Sequence, residues 1–115
     1  MANLQYKDRP PKHSHQWIDA RDLKMAQLIA EKIRRYPALF DEAVHTLRNW
    51  KRRLRPIPEA VLEWDRIFRE NNREQILNTL TQDNDEGQRL RQSDPFCGIL
   101  TEEERLRFLA DYEEE

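Results

Sequence analysis

Residues 58–80 read PEAVLEWDRIFRENNREQILNTL, and this stretch decides the fold. Pro58 suits a helix start, where its missing N–H costs nothing. Val61, Leu62, Trp64, Ile67 and Phe68 follow, and apolar residues at such steps gather on one side of a helix. The pattern stops at Asn71-Asn72, and Ile76, Leu77 and Leu80 resume it. Asn72 is suited to cap the new helix, because its side-chain oxygen accepts from a free first-turn N–H. One helix to about Glu70, a polar break and a second, short helix are therefore expected.

The same spacing extends upstream. A helix is expected from about Asp19 to Tyr36, with Leu23, Ala26, Ile29, Ala30 and Ile33 on its inner face. Asp19 is the expected cap, Asp22 adds negative charge in the first turn, and Arg34 and Arg35 complement the other end of the dipole. Pro37 opens the next helix, whose stripe is Phe40, Ala43, Val44, Leu47 and Trp50. That helix fades near Arg53, since Pro56 and Pro58 do not continue it. The short link between these two helices favours an antiparallel hairpin.

Downstream, residues 84–92 form a short helix and Ser93–Leu100 an irregular loop in which Gly98 supplies an unusual backbone turn. Thr101-Glu102-Glu103-Glu104 is a capping box for a last helix to about Tyr112, with Leu106 and Leu109 inward and Phe108 nearby. The fold expected is all-α, a single compact bundle of five or six helices with short connections. Residues 1–16 read as a flexible N-terminal arm, 17–112 as a single helical domain and 113–115 as an acidic tail.

Composition narrows the function. Hydrophobic and charged residues each make up 37% of the 115 residues, and Gly87 and Gly98 are the two glycines. No glycine-rich phosphate loop can be written with them. The expectation is a cytoplasmic protein, because no apolar run is long enough to span a bilayer and no secretory segment stands at the start. A single Cys97 is expected to be a buried structural thiol. The net charge of −2 hides an asymmetry, with residues 1–55 at +7 and 56–115 at −9. Either one charged face binds a partner, or the halves pack together and neutralise one another.

Leu90-Arg91-Gln92-Ser93-Asp94-Pro95-Phe96-Cys97-Gly98-Ile99-Leu100-Thr101-Glu102-Glu103-Glu104-Arg105 and Trp17-Ile18-Asp19-Ala20-Arg21-Asp22-Leu23 carry a resemblance. They resemble a family of short, uncharacterised bacterial helical proteins. Its patterns are L-R-x-S-x-P-F-A-G-[IV]-L-T-x-E-E-R and W-[IV]-D-x-R-x-L, with Cys97 in place of a small alanine. The resemblance implies a bacterial source and a small helical protein, and associates it with toxin–antitoxin or defence-type genes. It implies no established activity.

Two segments carry candidate binding residues. In the 89–101 loop, Arg89, Arg91, Ser93, Asp94 and Phe96 form a candidate partner-binding set, since arginines and aromatics dominate binding hot spots. The competing reading is structural, with Phe96, Ile99 and Leu100 anchoring the loop and the arginines holding backbone carbonyls. Arg48, Lys51, Arg52, Arg53 and Arg55 form a basic cluster that would neutralise nucleic-acid phosphates. Its competing reading is a helix C-terminus with favourable cations on a solvated face. Glu42 and His45 have the E-x-x-H spacing of helical di-iron sites, but a second copy is missing. Glu59 and Glu63 share a helix face without a catalytic constellation around them.

No catalytic residues, metal site or cofactor are assigned. The leading expectation is a non-enzymatic protein–protein interaction module, a regulator or antitoxin-like partner of a neighbouring gene product. A nucleic-acid-binding protein using residues 48–55 is the alternative, and a small helical metal protein or enzyme a second one. A protein partner or a homodimer is expected, and no membrane.

Overall fold

The computed structural model describes residues 10–114. They form six α-helices: α1 (His15–Arg35), α2 (Phe40–Arg53), α3 (Glu59–Glu70), α4 (Arg73–Leu80), α5 (Asp85–Arg91) and α6 (Glu102–Glu114). Among the described residues there is no strand. The all-helical bundle expected from the apolar spacing is therefore the fold.

Side-chain caps set four of the six helix starts among the described residues, at Ser14, Asn72, Asn84 and Thr101. The Asn72 side chain accepts from the Gln75 N–H at 2.8 Å while Gln75 reaches back to the Asn72 N–H at 2.9 Å. Thr101 and Glu104 make the same reciprocal pair at the start of α6. Each pair satisfies donors that a first helical turn leaves free. At α1 the expectation is corrected. Ser14, not Asp19, is the cap, accepting from the Trp17 N–H at 3.2 Å. Residues 15 and 16 are thus helical rather than part of an arm. Residues 1–9 of that arm lie outside the described residues, as does Glu115, while Glu113 and Glu114 continue α6. Pro37 starts a 3₁₀ turn (Pro37–Leu39) that leads into α2 instead of opening it directly.

The expected α1–α2 hairpin is also replaced. α2 packs mainly on α3, while α1 lies against α4, α5 and the 3₁₀ turn. Between α2 and α3 sits an aromatic cluster. Phe40 stacks on Phe68 at 5.4 Å, and Trp64 meets Phe96 edge-on at 6.0 Å. Such offset and edge-on contacts add to the area each ring buries. Trp64 is sealed but satisfied, since its Nε1 donates to the Leu90 carbonyl at 3.1 Å.

α6 buries no residue fully. It runs antiparallel to α1, tied at one end by Lys32 to Glu104 at 2.6 Å. At the other end Tyr112 packs on Trp17 at 5.0 Å and His13 reaches Glu113 at 2.9 Å. Phe108 and Tyr112 stack on each other. Leu106, expected inward, is 52% exposed. Ion pairs also join the basic and acidic halves of the chain, as in Lys32–Glu104, Arg34–Glu74 and Lys51–Asp65.

Candidate binding groove beside the 91–100 loop

α5 is short and is held at both ends of its exposed face. Arg89 forks onto Glu63 of α3, with contacts of 2.8 and 2.7 Å, and also meets Glu86. The hydrogen bond from Arg89 holds the Glu63 carboxyl below its usual range, against a smaller opposing effect of burial. Glu63 is thereby a structural partner and not a free acid or base. Arg91 turns back to the end of α4. Its Nη1 donates to the carbonyls of Leu80 at 3.0 Å and Gln82 at 2.7 Å, groups a helix C-terminus leaves unsatisfied. Burial lowers the Arg91 pKa, opposed by the carboxylates of Asp22, Asp83, Asp19 and Asp94.

Asp94 then sets the course of the loop. Its Oδ1 accepts the Phe96 N–H at 2.8 Å, an Asx turn that bends the chain at Pro95. Phe96 is carried into the aromatic cluster with 0% of its surface exposed. This corrects its place in the candidate set, because a side chain with no exposed surface offers nothing to a partner. Cys97, next in sequence, points the other way and is exposed, where a buried thiol was expected. Gly98 has no positive φ, so the expected special turn there is absent. The loop is anchored from below by Ile99 and Leu100 and by the Ile99 carbonyl, which accepts from Lys32 Nζ at 2.8 Å.

Above this anchored loop lies a groove of about 560 Å³. One side is Arg91, Ser93, Asp94 and Cys97 of the loop region. The other is Trp50 and Leu54 at the end of α2 with Pro58, Ala60 and Val61 at the start of α3, and Met25 and Ile29 of α1 close it. Its volume is in the range of ligand sites, and its lining joins an apolar wall to polar and charged groups, among them Arg91, Ser93, Asp94 and Arg105. Burial raises the Asp94 carboxyl to about 6, partly offset by the Phe96 N–H and by Arg91, while Asp22 pushes it further up. A perturbed ionisable group in a cleft marks a candidate site on physical grounds.

The basic cluster ends up beside this groove but is divided in its roles. Lys51 pairs with Asp65 at 2.9 Å, Arg52 donates to Asn49, and Arg55 donates to the carbonyls of Lys51 and Leu54. Arg48 and Arg53 are exposed and have no ion-pair partner among the described residues. Sequence spacing gave Trp50 a core role only. It is half-buried, so part of its ring forms groove wall. Spacing alone does not mark Leu54 as a wall residue. The available signal was a leucine just past a helix end, followed by prolines that keep it from folding back.

A second groove of about 530 Å³ lies between α1 and α6. Two of its charged side chains, Lys32 and Glu104, are paired with each other, and Arg107 is paired with Glu103. Glu42 and His45 are exposed on α2. Among the described residues no three His, Cys, Asp or Glu side chains gather as metal ligands, and no helix is long and apolar enough to cross a membrane. Comparison of the chain with protein families, with curated proteins and with solved structures finds no match.

Proposed function

We propose that this protein is a non-enzymatic interaction module that seats a segment of a partner protein in the groove between the 91–100 loop and the α2–α3 corner, and so acts as a regulator of that partner. The observation that carries the reading is the groove itself. Its walls combine the partly buried ring of Trp50 and the 39% exposed Leu54 with a partly buried carboxylate. Aromatic anchors in well-packed pockets that the partner seals from water are where protein interfaces concentrate their binding energy. The arginines of the loop serve this reading indirectly. Arg89 and Arg91 fix α5 and thereby hold Ser93 and Asp94 at the groove edge.

The test uses the tagged full chain and a Leu54→Asp variant. Leu54 is exposed enough that the substitution should leave the helical circular dichroism unchanged. A stoichiometric partner retained by the native protein and lost by the variant is expected. Equal retention by both proteins, or no stoichiometric partner for either, would count against the reading. Nucleic-acid binding is the second reading, favoured by the uncommitted guanidiniums of Arg48 and Arg53. It requires a salt-sensitive mobility shift that the double variant Arg48→Ala, Arg53→Ala loses.

A further inference from the structure

The chemistry of the groove's occupant follows from Asp94. One oxygen, Oδ1, is used by the loop, accepting the Phe96 N–H at 2.8 Å. An asparagine oxygen would make the same bond, so the turn does not require a charge. The second oxygen, Oδ2, accepts no hydrogen bond among the described residues, and it is not sealed from solvent. It belongs to a residue that lines the groove. Burial already disfavours the Asp94 charge, so a charged donor that met Oδ2 would offset part of that cost.

Arg91 lends Asp94 some counter-charge, but among the described residues no neighbouring side chain donates to Oδ2. Arg91, from α5, directs its Nη1 to the carbonyls of Leu80 and Gln82. Asp22, from α1, adds a like charge. Arg105 of α6 also lines the groove and pairs with Glu102 on its own helix at 2.7 Å. A cationic side chain entering from solvent would give Asp94 both a donor and a counter-charge, the stronger kind of hydrogen bond. A purely apolar occupant would desolvate Oδ2 further. A groove of about 560 Å³ holds more than one side chain, and on the α2–α3 side its wall is apolar, with Trp50, Leu54, Pro58, Ala60 and Val61.

We propose that the groove accepts a partner segment in which a Lys or Arg side chain meets Oδ2 of Asp94 while an adjacent large apolar side chain lies against Trp50 and Leu54. This rests on the reading of the protein as an interaction module and names the chemistry of what that module binds. The raised Asp94 pKa of about 6 adds a signature. The occupant needs the ionised carboxylate, so its affinity falls as pH drops through that value.

The experiment selects peptides from a random displayed library on the full chain near neutral pH. Synthetic versions free of His, Asp and Glu are then titrated. The recovered peptides should share a Lys or Arg next to a large apolar residue. Asp94→Asn should weaken them about tenfold or more, and the native protein should lose affinity similarly between about pH 7.5 and 5. The Asn variant keeps the acceptor for the Phe96 N–H, so its fold should persist and its affinity should not vary with pH. The unfolding midpoint of the variant in urea, measured near neutral pH, should equal or exceed that of the native protein, because a buried charge has been removed. Peptides that lose binding to Leu54→Asp but show no basic preference, and bind Asp94→Asn equally, would overturn the cation site and leave the interaction module standing. Absence of any peptide sensitive to Leu54→Asp would overturn both.

Discussion

A methyl group added to Gly87 would lie 2.1 Å from the carbonyl oxygen of Gln82 and 2.9 Å from Nη1 of Arg91. The first neighbour is backbone and cannot swing aside, and the second is the guanidinium that stitches α5 to α4. Gly87 is needed for close approach, not for an unusual dihedral, since neither glycine has a positive φ. Gly87→Ala should therefore destabilise the protein by about 1–3 kcal/mol, despite alanine's better helix propensity. Gly98→Ala, whose added carbon meets nothing within 4 Å, should be neutral or stabilising by about 0.4–1 kcal/mol. Urea denaturation of the two variants checks the pair. Equal effects would mean that the clash at residue 87 is relieved by movement of the loop before α5. The sequence made both glycines visible but not their difference, because closeness to Gln82 depends on how the 81–84 connection folds back. Phe96 and Cys97 show the same boundary of legibility. An irregular loop has no period, so which of two neighbours turns inward is set by a local bond. Here that bond is Asp94 Oδ1 to the Phe96 N–H. Asp-Pro-Phe already hinted at such a turn.

Helix ends were more readable than loop interiors. Asn72 and the Thr101–Glu104 box act in the structure as their spacing suggests. The start of α1 did not, because Ser14 is followed by the polar His15-Gln16 and no apolar period reaches back to it. Inner and outer faces were legible for most apolar positions and failed at Leu62 of α3 and Leu106 of α6, both of which face solvent. Helix α6 has its ends fastened and no fully buried residue between them. Its backbone amides should exchange with solvent at least about tenfold faster than those of α4, which buries Ile76, Leu77 and Leu80. Hydrogen exchange resolved by residue measures this, and matching protection in the two helices would contradict it. The Lys32 tie also has an acid limit. Its hydrogen bond to Glu104, helped by the Thr101 N–H, holds that carboxyl at about 2, below its ordinary 4.5. A depressed carboxyl contributes stability that is present above 4.5 and disappears as pH falls towards 2. The α6 amides should therefore lose what protection they have across that interval.

At the scale of the whole molecule, ion pairs such as Lys32–Glu104, Arg34–Glu74 and Lys51–Asp65 join the two charge-biased halves of the chain. The fold class was legible throughout, but the pairing of α2 with α3 was not, since a short link says nothing about a corner. The groove depends on that pairing, because Trp50 and Val61 come from its two members. Phe96 binds this arrangement to the distant loop. Phe96→Ala removes a ring in contact with Phe40, Trp64 and Phe68, a loss of about 3–5 kcal/mol. Small domains have about 5–15 kcal/mol in all, so the variant should melt earlier in one cooperative transition seen alike by near- and far-ultraviolet circular dichroism. Loss of near-ultraviolet signal alone would show that the loop detaches while the helices remain. The Asp94–Phe96 turn thus faces the groove on one side and plugs the aromatic core on the other. An occupant that needs the turn can associate only with folded chains, so occupancy becomes visible as heat resistance. A ligand present at about a hundred times its dissociation constant adds about 2.7 kcal/mol to the folded state. If the proposed partner segment binds, a raised melting temperature reports it, and fractionated mixtures can be screened on that readout.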